Sequence, residues 1–170
     1  MSKVLVPVDG SENALLAVRQ VINSFIANSS IEVHLLHVRR PFSKHIAQFL
    51  GKSDRESFHR EEAEKQLKSA RDLLNQHNIP HAAHIELGEK AETINKVAQR
   101  LHVNQIVMGI SRKNSLTRLL EDSVTNGVLE IAQVPVEVVA GSEVSKLEKY
   151  GVPAGVAAAL AVLALVMTAD

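Results

Sequence analysis

A parallel, doubly wound α/β sandwich is the fold this sequence predicts, and three observations predict it. Strand-like and helix-like segments alternate along the first 140 residues, with five of the strand type. Two of those, Val4–Val8 and Ile106–Met108, are almost wholly apolar, as strands are when helices cover both faces of their sheet. The strands break at Asp9-Gly10, Gly88 and Gly109, and turn residues of this kind separate strand from helix. Crossovers in such a fold are right-handed, and ligands sit beyond the carboxyl ends of the strands, where strand order reverses. The candidate turns are Asp9-Gly10-Ser11 and the segment from Gly109 onward.

Each element has its own signal. "KVLVPVD" (Lys3–Asp9) reads as a buried strand, and Ser11 as the cap of the next helix. Leu15, Val18, Val21, Ile22 and Phe25 share one face of that helix. "IEVHLLHV" (Ile31–Val38) is the second strand; residues 39–56 show no period and read as a loop, with a short helical turn near His45–Leu50. A helix over Phe58–Gln76 carries the stripe Ala63, Leu67, Ala70, Leu74, with Glu61–Lys65 and Glu64–Lys68 spaced as ion pairs. "PHAAHIEL" is a weaker third strand. Ala91, Ile94, Val97, Ala98 and Leu101 mark a third helix, "QIVMG" a fourth strand, Leu120, Val124, Val128 and Ile131 a fourth helix, and "VPVEVVA" a fifth strand.

Composition narrows the function. The 170 residues carry 19 basic and 19 acidic side chains, so the charge balance gives no drive toward nucleic acid, whose phosphates are held by Lys and Arg. Aromatic residues are 3% of the chain and Trp is absent, which leaves no base-stacking platform. With no cysteine, disulfides, thiolate zinc sites and a Cys nucleophile are excluded. Eight histidines invite a metal reading, but His34 and His37 are three apart on a strand and point to opposite faces, as do His81 and His84; no metal site is expected. There is no G-x-S-x-G elbow. Ser11 can be drawn near His37, but helix capping accounts for it, and Glu89 and Glu92 suit a helix N-terminus. The last strand is apolar enough to need a cover or a partner, and Val136 and Val138 are its pairing residues.

"VLVPVDGSENALLAV", "LLHV", "IVMG" and "SLTRLLEDSV…VPVEVV", in this order over residues 2–140, resemble the universal stress protein family. The resemblance implies a five-stranded sheet of order 3-2-1-4-5, an adenine nucleotide alpha hydrolase-like sandwich, and a homodimer through the last strand. Some members bind ATP and others do not. Binders carry a glycine signature, Gly, two residues, Gly, nine residues, Gly, then Ser or Thr. On this chain the first glycine is Gly109, the second position holds Arg112, the third Asp122, and Ser123 follows. Pro7, Val8 and Asp9 fall where the family contacts base and ribose, and Val38 falls on the adenine-contact position. Met108 and Val124 complete the nucleotide-binding set. Phosphate needs close backbone N–H groups, which glycine permits, and Asp122 sets a carboxylate where the ligand would bring its own charge. Two unit charges about 4 Å apart repel by about 4 kcal/mol at an effective dielectric of about 20. Against this, Arg112, Lys113 and Arg118 place three cations in the same segment. Both readings stand: a site that side chains still serve, and a site that has lost its ligand.

The C-terminus lies outside the resemblance. Residues 1–141 form the α/β domain, 142–151 a polar linker, and 152–170 an apolar helix. From Gly151 to Ala169 there is no charge. Ala154–Ala169 as a helix reaches about 24 Å at about 1.5 Å per residue, short of the roughly 20 residues a membrane span needs. Membrane contact, self-association and docking on the domain are the three readings. The expectation for the whole is a cytoplasmic stress-response module, peripheral or tail-anchored at a membrane if the tail serves that role. It acts by binding and not by catalysis, with nucleotide binding weak or lost and ATP the one candidate ligand. The alternative is an ATP-binding switch using the crevice after strands one and four; slow ATP hydrolysis is the one enzymatic activity left open.

Overall fold

The computed structural model describes residues 2–41, 52–110 and 124–141. The elements run β1 (Ser2–Pro7), α1 (Glu12–Ala27), β2 (Ile31–Arg39), α2 (Lys52–Gln76), β3 (His81–Leu87), α3 (Lys90–Leu101), β4 (Gln105–Ile110), α4 (Val124–Ile131) and β5 (Val136–Ala140). The strands form one sheet of order β3-β2-β1-β4-β5, and every neighbouring pair is parallel. The expected strand order and architecture are those found.

The period of two along β1 divides the interior. Val4 and Val6 face a core with Val18 and Val21 of α1 and Leu67 and Leu74 of α2. Leu5 faces the opposite core, with Ile94 and Val97 of α3 and Val128 of α4. Strand β2 repeats the division, Leu35 to the first core and Leu36 to the second. Burial of Leu5, Leu35, Leu36, Leu67, Leu74 and Ile106 is complete or nearly so, and a fully buried side chain of this size contributes about 1.5–3 kcal/mol.

Several boundaries differ from the sequence reading. Strand β1 ends at Pro7, not Asp9; only the Val8 N–H continues the ladder, to Leu36 O at 2.8 Å. That leaves Asp9 in the turn, beyond the strand end. Helix α2 begins at Lys52, so residues 52–56 are helix and not loop. Its opening sequence, "KSDRES", has no apolar stripe, which is why periodicity misses it. Glu64 pairs with Arg71 and Lys68 with Asp72, in place of Glu61–Lys65 and Glu64–Lys68. Ile131, placed on the apolar face of α4, is 40% exposed, while Thr125 is buried. Leu120, the turn near His45–Leu50, and the linker and tail over 142–170 lie outside the described residues. Among the described residues no helix is long and apolar enough to cross a membrane.

Two glycines have packing reasons. Gly10 has φ +78°, and a Cβ there would lie 1.7 Å from Gln66 Oε1 of α2. At Gly109 a Cβ would lie 1.6 Å from the carbonyl oxygen of Asn13 in α1. The obstacle at Gly109 is backbone and cannot rotate away. Substituting Gly109→Ala is expected to lower stability by about 1–3 kcal/mol or more, the range for overpacking, in urea unfolding followed by circular dichroism. An unchanged midpoint would mean that α1 and β4 are not in this contact.

Candidate functional site

The carboxyl ends of β1, β2 and β4 open into a cleft of about 140 Å³. All seven of the sequence-predicted binding residues that lie within the described part of the chain line it: Pro7, Val8, Asp9, Val38, Met108, Gly109 and Val124. Arg112 and Ser123, like Asp122, lie outside the described residues. Gly109 and Val124, which flank that segment in sequence, both line the cleft.

Backbone and cap chemistry shape the β1 side. Ser11 is the N-cap of α1, and its Oγ accepts from Ala14 N at 3.2 Å. The Ser11 N–H and Oγ–H both donate to Asp9 Oδ1, at 3.1 and 2.6 Å. Asp9 is thus held by the cap, and its Oδ2 makes no hydrogen bond among the described residues. Behind it, the buried His37 donates from Nδ1 to Val8 O at 2.7 Å. That bond assigns the proton to Nδ1 and makes His37 a strut for the cleft wall. Ser11 and His37 are therefore engaged with Asp9 and Val8, not with each other.

The remaining lining residues escaped the sequence reading. Asn13 and Ala14 arrive through the Gly109 contact, Leu36 from β2, Lys90 and Ile94 from α3, and Thr125 from α4. Lys90 carries the cationic charge and Asp9 the anionic charge among the described lining residues. Ile94 was legible as a core residue, but only sheet order brings the first turn of α3 to the same crevice as β1 and β4. Polar atoms at Asp9, Asn13, Thr125 and Lys90 on an otherwise apolar wall suit a ligand with a flat apolar part and hydroxyl groups. Among the described residues no group of three or more His, Asp or Glu stands at metal-holding geometry.

At the far edge of the sheet, β5 pairs with β4 on one side. Val136 packs against the second core, whereas Val138 is 36% exposed. A Cβ on Gly127 would lie 2.9 Å from Ala91, which fixes the α3-facing side of α4. Leu129 follows about 200° around that helix, so it faces the β5 edge, and it is 51% exposed. On the opposite sheet face the Glu137 carboxylate accepts from Gln20 Nε2 at 2.8 Å and Gln105 Nε2 at 2.7 Å, tying β5 to α1 and β4.

A parallel sheet of order 3-2-1-4-5, helices on both faces and a cleft where the order reverses define an adenine nucleotide alpha hydrolase-like α/β protein. The chain matches the universal stress protein family over residues 1–140 and belongs to that family. It is 27% identical over 143 residues to the universal stress protein MJ0531 of Methanocaldococcus jannaschii, a match covering 81% of each chain. Among solved structures it is similar to the protein MJ0577, with 28% identity, a TM-score of 0.66, and coverage of 84% of this chain and 97% of that one. The same fold recurs in an Arabidopsis thaliana family member with AMP bound, at 15% identity, TM-score 0.60 and coverage of 85% and 95%. It recurs again in a universal stress protein in complex with cAMP, at 16% identity, TM-score 0.58 and coverage of 81% and 95%.

Removing the Ser11 hydroxyl breaks both the cap and the restraint on Asp9. Ser11→Ala is expected to cost about 1 kcal/mol of stability, measured by chemical denaturation; a neutral effect would mean that Ser11 does not cap α1.

Proposed function

We propose that this universal stress protein acts by binding, not catalysis, and that its cleft takes the nucleoside part of an adenine nucleotide weakly, with little help from the phosphates. The observation that carries this reading is the convergence of Pro7, Val8, Asp9, Val38, Met108, Gly109 and Val124 on one cleft. Apolar side chains from β1, β2 and β4 suit the faces of a purine, and the Oδ2 of Asp9, which makes no hydrogen bond among the described residues, suits ribose hydroxyls. Family members that hold AMP and cAMP in the same fold support the ligand class. The described walls bound less than the roughly 300–1,000 Å³ of a usual ligand pocket, and it is the family resemblance that assigns the phosphate contacts to the segment after Gly109. There Arg112 and Asp122 replace two glycines of the signature. The kept glycine, Gly109, has a packing role that holds whether or not phosphate binds.

Catalysis is not part of the reading. Ser11 Oγ serves Asp9 and His37 serves Val8, so the described residues of the cleft offer no nucleophile beside a free base. The ATP-switch reading shares the same seven residues and differs only in what residues 111–123 do. Titration calorimetry of the full chain with adenosine, AMP and Mg·ATP separates the two. Similar sub-millimolar to millimolar affinities for all three are expected, with at least a tenfold gain for Mg·ATP in the Arg112→Gly, Asp122→Gly variant. Micromolar Mg·ATP binding by the unaltered protein, with adenosine a hundredfold weaker, would overturn the reading in favour of the switch. Absence of heat with every ligand would make the protein independent of nucleotide.

The β5 edge supports a homodimer. Its outer backbone groups have no strand partner among the described residues, and Val138 and Leu129 put apolar surface beside them. Val138→Glu is expected to convert a sedimenting dimer to monomer while leaving the circular dichroism spectrum intact. A dimer that persists would place the interface elsewhere.

A further inference from the structure

We propose that His34 and His84 form an acid-sensitive latch that holds the edge strand β3 onto β2. The two rings lie on the face of the sheet that packs against α3. In the parallel register His34 stands opposite Ala82 and Leu36 opposite His84, so the histidines meet diagonally across the strand pair. His34 Nδ1 and His84 Nε2 are 3.1 Å apart, with ring centroids at 5.3 Å. His34 is 5% exposed, so water has little access to compete for that bond.

The proton count follows from the neighbours. Glu32 Oε1 lies 3.0 Å from His34 Nε2. Nε2 makes no hydrogen bond among the described residues, but two acceptors would repel at this distance. The His34 proton therefore belongs on Nε2, facing the carboxylate, and its Nδ1 is left as an acceptor. His84 must then donate from Nε2. The result is a directed chain: His84 Nε2–H to His34 Nδ1, and His34 Nε2–H toward Glu32. The other charged groups around it are Lys3 of β1, 3.8 Å from Glu32, Glu86 of β3, and Arg100 of α3, which pairs with Glu86.

This chain accepts one proton and refuses a second. The first goes to His84 Nδ1 and leaves the inter-ring bond in place. A second would have to sit on His34 Nδ1, where two N–H groups would then face each other at 3.1 Å. The bond is lost, and with it a side-chain tie between β2 and a strand that has no neighbour on its other side among the described residues. Burial, then the His34 ring and the Arg100 guanidinium, lower the basicity of His84 below the usual histidine value, while Glu86 opposes them. The folded protein thus holds that proton less tightly than the unfolded chain. Stability is full above the unfolded value of about 6.5 and falls as pH drops below it toward the lowered folded value.

Nitrogen-15 NMR of the histidine rings in the full chain, from pH 8 to pH 5, tests the latch together with amide exchange of β3. At pH 8 both rings are expected as the Nε2–H form. On acidification His84 is expected to protonate first, on Nδ1, with a midpoint below 6.5. Exchange protection over His81–Leu87, corrected for intrinsic rates, is then expected to fall at least tenfold between pH 7.5 and pH 5, while Gln105–Ile110 keeps its protection. His84→Gln retains a neutral donor and should abolish that fall. Glu32→Gln, on the exposed end of the chain, should move the His84 midpoint further down. A proton on His34 Nδ1 at pH 8 would overturn the proposal. So would independent titration of the two rings with β3 protection unchanged, or a Glu32→Gln midpoint equal to that of the parent.

Discussion

The backbone of α1 passes so close to β4 that only a hydrogen can stand at position 109. Much of the functional end of the molecule depends on that contact. It brings the first turn of α1 over the point where strand order reverses, between β1 and β4. There Ser11 caps the helix and holds Asp9 by its carboxylate, and Asn13 and Ala14 become walls of the cleft. The glycine that looks most like a remnant of a phosphate loop is thus required by packing. Its presence would be explained even in a chain that binds no phosphate, so the weight of the nucleotide question rests on Arg112 and Asp122.

Buried polar groups in this protein are organised about the sheet. His37 supports the Val8 carbonyl at the cleft, and Glu137 collects two glutamine amides to fasten β5. His34 sits within the second face, tied to its neighbour strand by His84. The His37 and Glu137 bonds satisfy the requirement that a polar group drawn from water find a partner, His34 meets it at Nδ1 alone, and each bond joins elements that hydrophobic packing alone would leave free to slide. Of the histidines that sequence spacing set aside as chelates, His34, His37 and His84 act as struts between strands, while His81 bonds locally to Ile79 O.

The two edges of the sheet are managed differently. Strand β3 carries exposed Ile85 and Leu87 together with the histidine and ion-pair cluster on its other face. Strand β5 is short, apolar on the α4 side and anchored by Glu137 on the α1 side, which leaves its outer backbone presented in a fixed orientation. A rigid, apolar edge is suited to pairing; an edge held by titratable side chains is suited to release.

Periodicity alone determined much of the architecture. The two-residue alternation of Val4, Leu5 and Val6, the helical stripes at Leu15–Phe25 and Ala63–Leu74, and glycine-bearing breaks after the strands specified alternating strands and helices under a doubly covered sheet. These signals are local and survive without knowledge of the partner surface. The β1 and β2 walls of the cleft were legible as well, because Pro7, Val8, Asp9 and Val38 sit at strand ends, and strand ends converge in this class of fold. What the polar opening of α2 hides is the start of that helix, since a turn without an apolar stripe leaves no period. Lys90, Thr125 and Asn13 reached the cleft, and His34 reached His84, only through the order in which the strands lie side by side. Those pairings join residues tens of positions apart, and no one-dimensional spacing encodes a distance across a sheet; tertiary structure decided them.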